Sequence, residues 1–361
     1  MNSRTWRGFL ALCSALLLLA AVQCAATDDV DTEGALPTLT FMFPVLSVTQ
    51  YHPFYIAQEL GYFEEEGLQV EFQAAGGSSA AIQQLLAGNA DAALPSPGAF
   101  LNAVARGHEL VWISSYQYAN IFTLVTPADS GISSIAGLNG KKVGVSELSG
   151  GEVPLVRAVL RGAGLEEGET VDIVPVGEGA ALTVNVLTTG QVDAYSSNLF
   201  DVAAIEAAGI DMNVILPEDV QNYPSNGIVT TPRTLEEKRS QIVGLARAVA
   251  KAIVFARSND AAAMEIAARV APEEFDDETL AQSAWEAARV LKTPPQELTE
   301  QPIGTHFLEG FQAYHDFLVQ GSEEEGALPE PVDLSTVLDS SLLTEINTFD
   351  KEAIERQAQR Y

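Results

Sequence analysis

A strand–helix alternation that runs through the chain and then starts again constrains the fold more than any other feature of this sequence. From Leu39, LTFMF reads as a strand, PFYIAQELGYF as a helix, LQVEF as a strand and SSAAIQQLLAG as a helix. DAAL, PGAFLNAVARG and LVWISSY continue the pattern. Such alternation implies parallel strands with helices packed on both faces. From about Lys141 it restarts as KKVGV, EVPLVRAVLRGAG, VDIVPV, AALTVNVLTTG, VDAYS, FDVAAIEAAG and MNVIL. The restart is a repeat: Gly77, Gly88, Asp91 and Ala92 recur with the same internal spacing as Gly179, Gly190, Asp193 and Ala194. In both copies the second glycine falls at a helix C-terminus, where positive φ is wanted, and the aspartate opens the next strand. Two similarly built α/β lobes are expected.

A further strand, NGIVTT, leads into helices, of which LEEKRSQIVGLARAVAKAIVFARS carries an apolar stripe at i, i+3/i+4. AAAMEIAARVA and ETLAQSAWEAARVL follow, and no Pro/Ser-rich linker separates the lobes. The simplest assignment puts residues 38–126 and 223–361 in lobe one and 127–222 in lobe two. Two chain crossings between them would form a hinge able to close on a ligand.

The first residues read differently from the rest. Arg4 and Arg7 precede an apolar run from Phe9 to Val22, shorter than the ~20 residues that a membrane-spanning helix needs. Residues 1–26 are therefore expected to be an export leader and 27–37 an acidic tether, which places the protein in the periplasm or on the outer face of a membrane. Both cysteines, Cys13 and Cys24, lie in the leader, so the body carries no disulfide, thiolate metal site or cysteine nucleophile. Cys24 ends the apolar run and is the candidate for lipid attachment; Gln23 before it fits lipoprotein processing poorly, and cleavage after Ala26 is the alternative. With 19 Lys and Arg against 49 Asp and Glu, the net charge of −30 repels nucleic-acid phosphates and anionic lipid headgroups alike.

Ligands of parallel α/β sheets sit beyond the carboxyl ends of the strands, near helix N-termini. That rule selects Tyr51 and His52 after the first strand, Ser96 after DAAL, and Tyr116 and Gln117 after LVWISS. In lobe two it selects Ser149, Gly150, Gly151 and Glu152 after KKVGV, and Tyr195 and Asn198 at the end of VDAY. Tyr223 and Asn226 come from the second crossing, and the repeat sets Ser96 and Asn198 at equivalent positions facing each other. The Ser-Gly-Gly turn offers backbone N–H groups to an anion or serves only as a helix start, while Glu152 beside it suits an amino group better. The tyrosines suit a flat ring, or pack in the core. His306 and His315 are expected to decorate the C-terminal helices, and the four histidines (His52, His108, His306 and His315) show no metal-ligand spacing. No nucleophile elbow, phosphate loop or complete dinucleotide fingerprint is present, so no cofactor, metal or catalytic residue is expected.

The segments HPFYIAQELGYFEEEGLQVEF, GGSSAAIQQLLAGNADAAL and LNGKKVGVSELSGGE resemble the solute-binding proteins of bacterial ABC importers for nitrate, sulfonates, taurine and thiamine-type pyrimidines. The similarity runs from about Leu39 to Pro232. It implies a type II periplasmic-binding-protein fold, no catalysis, a monomer, and delivery of a small molecule to an ABC permease and its ATPase. Tyr51-His52-Pro53 looks like the loop of the pyrimidine-binding branch, which favours a pyrimidine-like or other heteroaromatic ligand; sulfonate, taurine or nitrate is the alternative. Two other readings stay open: an enzyme of pyrimidine or menaquinone biosynthesis on the same fold, and a sensory ligand-binding protein.

Overall fold

The computed structural model describes residues 36–177, 180–319 and 328–361. The leader, Cys24, most of the acidic tether and Gly179 of the repeat lie outside the described residues. The chain opens with β1 (Thr38–Phe43), α1 (Val48–Glu59), α2 (Tyr62–Glu65), β2 (Gln69–Ala74), α3 (Ser78–Leu86), β3 (Ala92–Ala93), α4 (Pro97–Ala105) and β4 (Val111–Ser115). It crosses over to β5 (Phe122–Pro127), β6 (Lys141–Val145), α5 (Val153–Gly162), β7 (Val171–Pro175), α6 (Ala180–Thr188), β8 (Ala194–Asn198), α7 (Leu199–Ala207) and β9 (Met212–Val214). It returns in β10 (Gly227–Thr230) and ends in α8 (Pro232–Ser258), α9 (Asp260–Val270), α10 (Glu278–Leu291), α11 (Leu308–Val319), α12 (Leu334–Val337), α13 (Leu343–Ile346) and α14 (Lys351–Ala358). None of the described helices is long and apolar enough to cross a membrane.

These strands form two five-stranded sheets, in the orders β2-β1-β3-β10-β4 and β7-β6-β8-β5-β9. In each, one strand runs parallel to two neighbours: β1 beside β2 and β3, and β6 beside β7 and β8. Each sheet also receives one antiparallel strand directly after a crossing, β10 in the first and β5 in the second. The architecture is thus two-lobed α/β, with mixed sheets. The strand β5 corrects the expected boundary at residue 127, because it pairs with β8 from Phe122 opposite Asn198 to Val125 opposite Tyr195. Residues 122–126 therefore belong to the second sheet.

The repeated residues have matching structural work. Gly88 and Gly190 adopt φ of 77° and 68° behind α3 and α6, conformations that a residue without Cβ adopts at low cost. Asp91 accepts from Thr40 N–H at 3.0 Å while its own N–H donates to Thr40 O at 2.9 Å. Asp193 makes the same pair of bonds with Lys142, at 3.0 and 2.9 Å. Each aspartate pins a new strand to the parallel strand it will run beside, β3 to β1 and β8 to β6, before the ladder begins.

Helix α1 begins earlier than expected, at Val48, so Tyr51 and His52 sit inside a helix and not in a loop. Pro53 has no N–H to offer, and the helix kinks at Tyr51 (φ −113°, ψ 24°). Side chains meet the carbonyls at this kink, Thr49 O being the one that Pro53 leaves without a backbone N–H. His52 Nδ1 lies 2.9 Å from Thr49 O, and Gln50 O accepts from Tyr116 OH and Lys292 Nζ, both at 3.1 Å. One apolar cluster packs α1, α8, α9 and α10 on a face of the first sheet. A second joins the other face (Met42, Trp112, Val229) to lobe two (Val143, Val145, Val156). A third and smaller one, around Val125, Tyr195 and Ile205, lies within lobe two.

Candidate functional site

The candidate site starts from the two crossings, which run side by side. Tyr116 N–H and Gln117 N–H both donate to Asn226 O, at 3.1 and 2.9 Å, and Ser225 N–H donates to Gln117 O at 3.1 Å. Asn226 Nδ2 donates to Leu94 O at 2.6 Å, and Ser225 OH donates to Asn226 Oδ1 at 3.0 Å. Asn226 is therefore occupied in tying the hinge to lobe one. Gln117 is different. It is fully buried, yet neither its Oε1 nor its Nε2 has a hydrogen-bond partner among the described residues. A buried amide left in that state costs on the order of 1–3 kcal/mol for each group, so it needs a reason.

Two carboxylates of lobe two lie near each other, at the starts of α5 and α7. Glu152, at the start of α5, is buried, and its Oε1 accepts from Ser146 N–H at 2.9 Å and Ser146 OH at 2.5 Å. Burial pushes its carboxyl above the usual range, against the pull of the Ser146 bonds, and the charge of Asp201 pushes in the same direction as burial. Asp201, in the first turn of α7, accepts from Tyr195 OH at 3.2 Å and Ser197 OH at 2.7 Å, both on Oδ2. Sequence reasoning missed Asp201, because an acid in a first helical turn reads as an ordinary answer to the helix dipole. Asn198 caps α7, its Oδ1 accepting from Phe200 and Asp201 N–H at 3.0 Å each.

The remaining expected residues divide between the seam and the cores. Ser149 and Gly151 meet lobe one directly: Ser79 N–H donates to Ser149 O at 3.0 Å, and Ser96 OH donates to Gly151 O at 3.2 Å. Gly150 N–H donates to Glu147 O at 2.9 Å, so one N–H of the turn expected to cradle an anion is used within the turn itself. Tyr51 stacks on Phe43, with ring centroids 4.7 Å apart, and His52 stacks on Trp285 at 4.2 Å. Burial holds His52 well below the usual imidazole value, with help from the charge of Lys292. Tyr116 has Lys292 Nζ 5.6 Å from its ring centre, and Tyr223 stacks on Tyr314 at 4.9 Å. Tyr195 is buried in the lobe-two core. These rings are engaged by the protein itself. His306 and His315, expected on the helix surface, are buried: His306 Nδ1 lies 3.2 Å from Ser115 Oγ, and His315 Nε2 accepts from Val332 N–H at 3.0 Å.

A second group that sequence reasoning missed is Glu274. Its carboxylate accepts from Val48 N–H at 2.7 Å, Thr49 N–H at 2.8 Å and Ser47 OH at 3.3 Å. The N-terminus of α1, the end of that helix most attractive to an anion, is thus satisfied by the chain's own carboxylate. Its partner lies far along the sequence, so no local signal could have revealed the contact.

Comparison with known proteins adds a family and a fold. A family model described as NMT1/THI5 like matches residues 48–263. A Haemophilus influenzae protein named for thiamine biosynthesis is 32% identical over 139 residues, which is 38% of this chain and 43% of that protein. The match therefore spans less than half the length of that curated relative. A protein structure from Bordetella bronchiseptica superposes with a TM-score of 0.71 at 20% identity, covering 87% of this chain and 98% of that one. The alkanesulfonate-binding protein SsuA of Xanthomonas axonopodis pv. citri, bound to MOPS, superposes with a TM-score of 0.64 at 16% identity, covering 85% of this chain and all (100%) of that one. The fold they share with this chain is that of the periplasmic binding proteins.

Proposed function

The chain belongs to the NMT1/THI5-like family, and from that premise we propose that it is an extracytoplasmic solute-binding protein for an amino-bearing heteroaromatic ring, pyrimidine-like in its hydrogen-bonding edge. The observation that carries the reading is the Gln117 amide, fully buried at the crossings with a donor and an acceptor both unpartnered among the described residues. A carboxamide presents donor and acceptor side by side, and matches a ring nitrogen next to an exocyclic amino group, as amide side chains do when they read adenine. Glu152 and Asp201 supply acceptors or negative charge for a ligand amino group. Thiamine is built on an aminopyrimidine, so the relative named for its biosynthesis points to the same chemistry.

An anionic solute fits less well at α1 and α7, whose N-termini are taken by Glu274 and Asn198, or beside the carboxylates Glu152 and Asp201. Export through the leader, anchoring at Cys24 and delivery to an ABC permease and its ATPase complete the proposal. Fractionating cells that make the Cys24→Ser variant tests the anchor, and equal release of both proteins would remove it. The ligand is tested by a thermal-shift screen of the purified protein against aminopyrimidines, sulfonates and nitrate. A solute at a hundredfold over its Kd adds about 2.7 kcal/mol of stability. Gln117→Leu keeps the volume filled and removes the unpartnered amide. It should abolish the aminopyrimidine shift while leaving the unliganded protein as stable as before or more so. A shift given by nitrate or a sulfonate alone overturns the ligand class.

A further inference from the structure

Three glycines run along the seam where the lobes touch, each where a side chain would strike an atom of the other lobe. A Cβ on Gly77 would lie 2.7 Å from Ser149 O; one on Gly151 would lie 2.7 Å from Ser78 Oγ across the seam and 2.6 Å from Phe122 Cζ on its own side; and one on Gly98 would lie 3.1 Å from Pro154 Cβ across the seam and 2.6 Å from Tyr314 Oη on its own side. Gly77 and Gly98 belong to lobe one and Gly151 to lobe two, so both faces are pared down at the same place. Through the gap thus left, three hydrogen bonds join the lobes. Ser79 N–H donates to Ser149 O at 3.0 Å, Ser149 OH donates to Gly76 O at 2.8 Å, and Ser96 OH donates to Gly151 O at 3.2 Å. Each bond runs from protein to protein, at the mouth of helices α3, α4 and α5.

We infer that this seam is a closure latch: its direct bonds, and not only contacts made through a solute, set the fraction of time the lobes spend closed. A solute held between lobes is retained in proportion to that fraction, because apparent affinity scales with the population of the competent state. Ser149 and Gly151 are then closure residues, acting on the solute through lobe position. The glycines matter because one methyl group in the seam separates backbones that must come within hydrogen-bonding distance.

Two variants of the full-length protein test the latch. Gly98 lies within α4 without positive φ, so Gly98→Ala suits the helix while its methyl enters the seam against Pro154 and Tyr314. Ser149→Ala removes one interlobe bond, together with an exposed contact to Glu147 inside lobe two, and adds nothing. Small-angle X-ray scattering without added solute should give a larger radius of gyration for Gly98→Ala than for wild type, with Ser149→Ala between them. Stopped-flow release of an aminopyrimidine should be about fivefold faster from Ser149→Ala, the loss of one ordinary hydrogen bond. A radius unchanged in both variants, with native circular dichroism, overturns the latch, and if Gly98→Ala fails to fold, an unchanged Ser149→Ala radius overturns it alone. The release arm rests on the solute-binding reading and the scattering arm does not. A protein that binds no aminopyrimidine therefore sinks the proposed ligand and leaves the latch to be decided by the radius.

Discussion

Asp91 in lobe one and Asp193 in lobe two do the same work, each pinning a new strand to its parallel neighbour, β1 or β6. Ser96 and Asn198, the same distance further on in each copy, do not. Asn198 caps its own helix, whereas Ser96 makes no side-chain cap and spends its hydroxyl across the seam on Gly151. The scaffold of the repeat has been kept while the helix mouths have diverged, and divergence at the mouths is what gives the cleft two unlike walls. The packing differs as well. The first sheet is covered by α1, α8, α9 and α10 in a large apolar cluster, but the cluster belonging to lobe two alone is small and built around Tyr195 and Ile205.

The packing difference predicts the largest effect. Trp285 is fully buried, stacks on His52 and donates from Nε1 to Asp260 at 3.0 Å. Trp285→Ala should cost about 3–5 kcal/mol. Ile205→Ala, also fully buried but in the small lobe-two cluster, should cost about 2 kcal/mol, at the low end for such a truncation. Urea unfolding of both variants decides the point, and equal costs would break the asymmetry of the cores.

The next effect is acid sensitivity in lobe one. Burial lowers the His306 imidazole from its usual 6.5 to about 4. The folded state therefore binds fewer protons than the unfolded state, and the contribution is complete above 6.5 and lost as pH falls from there to about 4. The total is about 3 kcal/mol. The stability difference between wild type and His306→Asn, which keeps a polar partner for Ser115, should shrink on acidification across that window. A difference independent of pH would show that His306 does not titrate as its burial demands.

The duplicated aspartates predict a smaller but sharper contrast. Lys238 lies 2.6 Å from Asp91, whose side chain is 17% exposed, and Lys141 lies 3.1 Å from Asp193, which is 32% exposed. Asp91→Asn should cost about 1.5–3 kcal/mol, since charged hydrogen bonds are lost in a largely dry setting, and Asp193→Asn about half of that. Thermal melts of the pair sharpen the comparison, and a larger loss from Asp193→Asn would reverse it.

Much of this framework was legible because strand and helix periods and the Gly–Asp spacing are local properties. The strand β5 was not. FTLVTP gains its place by pairing with β8 and β9, both far along the chain. The helical state of Tyr51 and His52 was hidden by Pro53, which reads locally as a break but is tolerated because His52 Nδ1 meets Thr49 O, the carbonyl that Pro53 leaves without an N–H. At the proposed site, the strand-end rule selected Gln117 and Glu152 by position alone. It also brought in Tyr51, His52 and Tyr223, whose side chains pack against Phe43, Trp285 and Tyr314. Asp201 and Glu274 needed knowledge of which hydroxyl or helix end they would meet.

The smallest expected change in stability is the most telling about the lobe-two wall. Burial, and then the charge of Asp201, raise the Glu152 carboxyl above its ordinary value of 4.5. The folded state therefore holds a proton that the unfolded state has released, and stability falls as pH rises from 4.5 through the raised value, opposite in sign to His306. Glu152→Gln keeps an oxygen to accept from Ser146 and removes the titration, so its stability relative to wild type should grow as pH is raised across that window. The same substitution should weaken binding of an aminopyrimidine, because an amide is a poorer acceptor than a carboxylate for an amino group. A variant that is more stable yet binds less is what a residue retained for its ligand predicts. If Glu152→Gln instead lowers stability at neutral pH and leaves binding intact, the carboxylate serves the start of α5 and the wall loses its functional reading.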